Sequence, residues 1–235
     1  MKIQKISDVS ATNMLVTVYG DSGVGKTKFI STFPKPLLLI DCGDRKYSHI
    51  KDVKGVYVVD IENLSEVTKL LKGDEIEKFE TIVLDNLSGL MNLAKEHHAK
   101  GKKQLTMQDW GNINFLLTDI VALAKEISKK RNFVLVAHKK VYTAADGDDS
   151  VIDAITINSN PALRNWVEPN TNVAIYLSKY VKYSDDLDSE DDAEVSFGAI
   201  VGPHPYYWTN GQGLEVVPKG VIYDPTYEKI FKNKK

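Results

Sequence analysis

The chain has 235 residues, 43% of them hydrophobic and 26% charged, and a formal net charge of −2, enough for one well-filled domain core and too little for two. This balance excludes a global field that attracts phosphate, so any nucleic-acid contact must rest on a local basic patch. No charged head with a sustained apolar core opens the chain and no apolar run reaches membrane-spanning length, which predicts a cytoplasmic protein without membrane contact.

The first element predicted is a strand over Met14-Leu15-Val16-Thr17-Val18-Tyr19, dense in strand formers. It runs into Gly20-Asp21-Ser22-Gly23-Val24-Gly25-Lys26-Thr27, a complete G-x-x-x-x-G-K-T loop, and then into a helix from Lys26 that Pro34 must stop. Each residue type has a reason. Glycines at 20, 23 and 25 permit positive φ and turn successive amide N–H groups inward to cradle phosphate oxygens. Lys26 is placed for the β- and γ-phosphates, and the Thr27 hydroxyl for Mg²⁺. This pattern implies a bound nucleoside triphosphate.

The next strand, Pro36-Leu37-Leu38-Leu39-Ile40-Asp41, is apolar throughout and ends in an acid, as expected of a parallel strand buried on both faces. A short strand follows at Val56–Asp60. Asn63 with Glu66 reads as a capping box, opening a helix with Leu64, Val67 and Leu71 on one face. Thr81-Ile82-Val83-Leu84-Asp85 is another buried strand, followed by a helix carrying Leu87, Leu90, Met91 and Ala94. After Asp109 a long amphipathic helix aligns Ile113, Leu116, Leu117, Ile120, Leu123, Ala124 and Ile127, and closes on Lys129-Lys130-Arg131. Phe133-Val134-Leu135-Val136-Ala137-His138 is the fifth strand. Thr143 to Ser150 and the acidic run Ser184 to Glu194 read as solvated loops. Val173–Leu177 and a stretch near Val195 to Val201 read as antiparallel extensions of the sheet.

This alternation predicts an α/β fold with a mainly parallel central sheet, helices on both faces and ligands at the C-terminal strand ends. It is a single domain, with a nucleotide core over about residues 14–141 and a sheet extension over about 142–235. Asp85 occupies the position of a Walker-B acid that orients Mg²⁺, although an acid there can also cap the following helix. Asn86 follows where many ring-forming motor ATPases carry a catalytic Glu, which speaks against that class. His138, at a strand tip, is placed to touch a γ-phosphate. Cys42 is the sole cysteine, so no intrachain disulfide can form, and adjacent His97 and His98 diverge by about 100° on a helix and do not make a zinc pair.

On these motifs, together with Asp109-Trp110-Gly111 and Val134-Leu135-Val136-Ala137-His138-Lys139-Lys140, the chain resembles the RecA-like P-loop ATPases. It resembles more closely the small phage-encoded members implicated in single-strand annealing recombination. The resemblance implies that ATP and Mg²⁺ are bound by residues 20–27, that Asp85 is the Walker-B acid and that His138 is the γ-phosphate sensor. It further implies a homo-oligomer working on single-stranded DNA in the host-cell cytoplasm, with a single-strand DNA-binding protein as a further partner. One departure matters: such proteins place a water-activating Glu two residues after the acid at Asp41, where this chain has Gly43. Asp44 is the substitute base, one methylene short, so hydrolysis is expected to be slow or DNA-dependent.

The loops that hold DNA in these proteins correspond here to His98–Gln104, with Lys100, Lys102 and Lys103, and to Lys139-Lys140-Val141-Tyr142. The lysines suit sequence-independent phosphate contact and Tyr142 suits base stacking, while a lysine-capped helix end and strand end account for the same residues without any ligand. Arg164 and Lys219 are candidates for a trans-acting finger. Tyr206-Tyr207-Trp208 could stack on a base, with core packing the more common use of such a patch. Two other functions fit the motif: a P-loop kinase of a nucleotide or small metabolite, disfavoured by there being only three arginines, Arg45, Arg131 and Arg164, and a non-hydrolysing nucleotide-binding assembly factor.

Overall fold

A computed structural model describes residues 13–43, 47–99, 102, 104–143, 152–182, 194–212 and 214–232. Its strands are β1 (Leu15–Gly20), β2 (Leu37–Asp41), β3 (Val56–Asp60), β4 (Thr81–Asp85), β5 (Asn132–Thr143), β6 (Ile152–Ile157), β7 (Val173–Lys182), β8 (Glu194–Val201) and β9 (Val221–Tyr223). The helices are α1 (Lys26–Ile30), α2 (Leu64–Lys72), α3 (Leu87–Ala99), α4 (Met107–Ile127), α5 (Pro161–Asn170) and α6 (Tyr227–Phe231).

The sheet runs β3-β2-β4-β5-β1-β7-β8-β9. From β3 to β7 all neighbours are parallel, and β8 and β9 are antiparallel. Every residue of β1, β2 and β4 is buried because each strand carries apolar side chains on both faces and is covered on both. One core joins these strands to α2, α3, α4 and α5, through side chains such as Leu64, Leu87, Ile113 and Leu163. The other, on the opposite face, packs Phe29, Ile30 and Phe33 with Ile230 of α6. The predicted two-faced α/β architecture is therefore observed.

Helix starts follow their caps. Asn63 accepts from the Glu66 N–H at 3.2 Å, while the Glu66 carboxylate takes the Glu62 N–H at 2.9 Å and the Asn63 side-chain amide at 2.8 Å instead of the Asn63 main-chain N–H of a strict box. At α4 the reciprocal box is complete: Thr106 Oγ1 accepts from the Asp109 N–H at 3.2 Å and Asp109 Oδ2 accepts from the Thr106 N–H at 2.8 Å. No helix among the described residues is long and apolar enough to cross a membrane.

Three expectations are corrected. β7 is parallel to β1, with Val16 level with Val173, and only β8 and β9 run antiparallel. His138 is not a strand tip, because β5 continues to Thr143. Up to His138 it pairs with β1, and where β1 turns away at Gly20 its freed edge is taken by β6, with Lys139 level with Ile157. Lys139–Tyr142 is consequently a strand and not a loop. The interval that carries β6 and α5 also holds more structure than the sequence reading gave it. Asn160 caps α5 by accepting from the Leu163 N–H at 2.7 Å, with Pro161 in the first turn.

Candidate nucleotide site

The C-terminal ends of β1, β2 and β4 meet the middle of β5 on one edge of the sheet: Gly20 is level with His138, and Asp41 with Asp85. Between β1 and α1 the chain folds into the glycine loop. Gly20 is required by crowding, since a Cβ there would stand 2.2 Å from the Leu177 carbonyl oxygen of β7. Gly25, at φ +84°, turns the chain into α1 in a left-handed conformation that side chains avoid. Val24 anchors the loop in the α1-side core. Lys26 Nζ donates to the carbonyl oxygens of Gly20 at 3.0 Å and Asp21 at 2.6 Å, which holds the ammonium across the loop.

A cavity of about 430 Å³ opens over this loop, within the range of small-ligand sites. Ser22, Gly23, Gly25, Lys26 and Thr27 line it, and so do Asp85, Asn86 and His138. The fold thus gathers four predicted site residues, Lys26, Thr27, Asp85 and His138, around one space. The Thr27 hydroxyl and Asp85 carboxylate are hard oxygen donors, the type Mg²⁺ takes alongside polyphosphate oxygens. Asn86 also caps α3, its Oδ1 accepting from the Gly89 N–H at 2.8 Å.

The same cavity has walls the sequence reading missed. Tyr47, Ser48 and His49, in a short 3-10 turn region after β2, and Phe197 from β8 complete it. Phe197 reaches the loop because β8 pairs with β7, and β7 with β1; a Cβ on Gly25 would lie 3.5 Å from its ring. Lys179, level with Phe197 on β7, brings its Nζ to within 3.8 Å of where a Cβ on Gly23 would stand. No local motif announces these residues, since their relation to the loop exists only through sheet pairing.

Gly43 stands at φ +134° with no described residue within 4 Å of where a Cβ would stand, and its N–H donates to Asp41 Oδ1 at 2.8 Å. The backbone here suits glycine, so the missing Glu is a conformational as well as a chemical departure. Asp44 lies outside the described residues, as do Lys100 and Lys103. Burial first, then the Asp41 and Asp85 charges, push the Cys42 thiol up to about 12, so it is not a thiolate nucleophile at neutral pH.

The remaining predicted nucleic-acid residues are dispersed. Lys102 Nζ is 2.5 Å from Asp109 Oδ1 and supports the α4 cap; its hydrogen bond, then those from Thr106, hold the Asp109 carboxyl well below the usual carboxylate range. Lys139 pairs with Asp21 at 2.7 Å, a bond that raises its pKa against the opposing effect of burial. Lys140 and Tyr142 lie on the outer half of β5, with Lys140 Nζ 4.9 Å from the Tyr142 ring centre. The finger candidates Arg164 and Lys219 do not line their own chain's cavity: Arg164 donates to the Tyr142 hydroxyl, and Lys219 borders a separate pocket beside β8. Tyr207 stacks on Tyr176 at 4.3 Å and Trp208 packs 5.8 Å from Tyr19, whereas Tyr206 is 55% exposed, so the aromatic patch is core at one end only.

A family model described as AAA domain matches residues 12–190. No curated protein matches the chain. Among solved structures, it is similar to the flagellar accessory protein FlaH from Methanocaldococcus jannaschii, at 9% identity and a TM-score of 0.47 over 94% of this chain and 95% of that one. It is also similar to a KaiC-like protein from Pyrococcus horikoshii OT3, at 11% identity and a TM-score of 0.45 over 90% and 89%.

Proposed function

The chain belongs to the AAA domain family, and on that premise we propose that it binds ATP with Mg²⁺, hydrolyses it slowly, and in doing so holds single-stranded DNA during phage recombination or strand annealing. The observation that carries the nucleotide part is the convergence of Lys26, Thr27, Asp85 and His138 on one cavity over a glycine loop. Loop amides and the Lys26 ammonium grip the polyphosphate, exchanging the Gly20 and Asp21 carbonyls for phosphate oxygens. Thr27 and Asp85 would hold Mg²⁺, which neutralises polyphosphate charge when bound. His138, level with Gly20 and lining the cavity, would donate to a terminal phosphate oxygen.

Slow turnover follows from Gly43, which offers no carboxylate to activate water. The same observation favours a second reading, a nucleotide-dependent assembly factor that scarcely hydrolyses. The two described arginines lend the kinase alternative no support: Arg131 donates to the Ile76 and Phe79 carbonyls and Arg164 to Tyr142, so neither forms a cationic lid over the cavity, while Arg45 lies outside the described residues. Single-stranded DNA is supported by the basic, aromatic outer half of β5. A homo-oligomer is supported by apolar side chains left on the surface, Tyr57 on edge strand β3 and Met107 and Phe115 on α4. A single-strand DNA-binding protein would be a further partner. Phosphate release by wild type and Lys26→Ala, with and without oligo(dT), tests this reading. It requires slow, Lys26-dependent release accelerated by DNA; no release under either condition favours the assembly-factor reading.

A further inference from the structure

We propose that the cleft bounded by the outer half of β5, by β6, by α5 and by residues 205–208 binds one nucleotide unit of a single-stranded nucleic acid, its phosphate at Lys140 and Arg164 and its base against Tyr206. This rests on the single-stranded DNA reading above and moves the grip from the separate lysine loops to a built cleft of about 550 Å³.

Two cations flank the Tyr142 ring at the edge of this cleft. Lys140 Nζ lies 4.9 Å and Arg164 Cζ 5.0 Å from the Tyr142 ring centre, and the Arg164 guanidinium donates to the Tyr142 hydroxyl. Among the described residues neither cation pairs with a carboxylate. Glu168, one turn along α5 from Arg164, accepts instead from the Thr156 hydroxyl at 2.5 Å. A phosphate at the rim would take charge-assisted bonds from these cations, bidentate from Arg164. The inward carboxylate of Glu168 excludes a phosphate from the floor and leaves, with Thr156 and Asn165, acceptors and donors suited to the edge of a base.

The aromatic wall is fixed before any ligand arrives. The Ile155 N–H donates to the Tyr206 carbonyl at 2.7 Å and the Trp208 N–H to the Ile155 carbonyl at 2.9 Å, so Tyr207 forms a single parallel bridge to Ile155 of β6. His204 Nδ1 accepts the N–H groups of Tyr206 and Tyr207 at 3.2 and 3.3 Å. Tyr207 and Trp208 are committed to packing, while Tyr206 presents its ring to solvent at the cleft mouth. An exposed ring beside a cleft edged by Arg164 and Lys140, neither paired with a carboxylate among the described residues, matches a planar base joined to a phosphate, and base stacking of this kind tolerates any sequence.

The test is anisotropy titration of a fluorescent 20-nucleotide oligo(dT) at two salt concentrations, together with photo-crosslinking of a 5-iodouracil oligonucleotide, on wild type, Arg164→Gln and Tyr206→Ala. Arg164→Gln should weaken binding about tenfold and reduce the slope of log affinity against log salt by about 0.7. Tyr206→Ala should weaken it by about tenfold or more, the crosslink should map to Tyr206 or Trp208, and both variants should keep the wild-type thermal midpoint. Wild-type affinity in both variants with a crosslink elsewhere would overturn the cleft and leave the DNA reading standing. Wild type that binds no oligonucleotide would overturn both, and Arg164-dependent capture of a phosphotyrosine peptide in its place would make the cleft a protein-binding one.

Discussion

Lys139 Nζ lies 2.7 Å from Asp21 Oδ2, which ties the residue after His138 to the first turn of the glycine loop. Asp21 would otherwise set an uncompensated negative charge beside the polyphosphate. Because Asp21 is half exposed, the pair adds little to stability, about 1 kcal/mol at most.

Lys139→Met is therefore expected to weaken MgATP binding about two- to fivefold, the range of an exposed ion pair, and the double variant with Asp21→Asn to return toward wild type. A double-mutant cycle by equilibrium titration reads this directly. Unchanged or tighter binding in Lys139→Met would show that the pair does not shield the phosphate.

His138→Gln should lower the steady-state rate of phosphate release on the order of a hundredfold, as loss of a donor to developing charge does. ATP affinity should change much less, because the loop amides and Lys26 carry the ground-state grip. An equal loss in both would assign His138 to binding alone.

Gly20→Ala is expected to destabilise the fold by more than about 3 kcal/mol, since the new methyl meets backbone and not a movable side chain. Chemical denaturation compares it with Gly43→Ala. Among the described residues nothing stands within 4 Å of a Cβ at Gly43, so that change is expected to cost the strain of its positive φ.

The Asp109 carboxyl is held below its ordinary value by Lys102 and Thr106. Its folded-state pKa is thus lower than the unfolded one, so its contribution is present above about pH 4 and is lost as pH falls toward the depressed value. Thermal midpoints of wild type and Asp109→Asn should differ at pH 7 and converge in acid. A constant difference across that range would assign the effect to packing.

The buried strands and the glycine loop were legible because their determinants are local: apolar runs such as Leu37–Ile40, glycines at the turns, and the spacing of Lys26 and Thr27. The cap of α4 was legible in part, since Asp109 was seen to open the helix while its partner Thr106 was not. The interval after Thr143 carries local signals of its own: Ile152-Asp153-Ala154-Ile155-Thr156-Ile157 is dense in β-branched strand formers, and Asn160-Pro161 is a helix start. What no local pattern could give was pairing. That β7 runs parallel to β1, that Phe197 and Lys179 reach the loop, and that Lys139 turns back to Asp21 all depend on which strand lies beside which, and sequence periodicity does not encode neighbours.

The central claim is that the loop over residues 20–27 grips a nucleoside triphosphate. Isothermal titration of ATP into wild type and Lys26→Ala, with and without Mg²⁺, tests it most directly. The account predicts saturable one-to-one binding that strengthens with Mg²⁺ and weakens by at least about tenfold in Lys26→Ala; equal affinity in the two proteins, or no heat of binding in either, would contradict it.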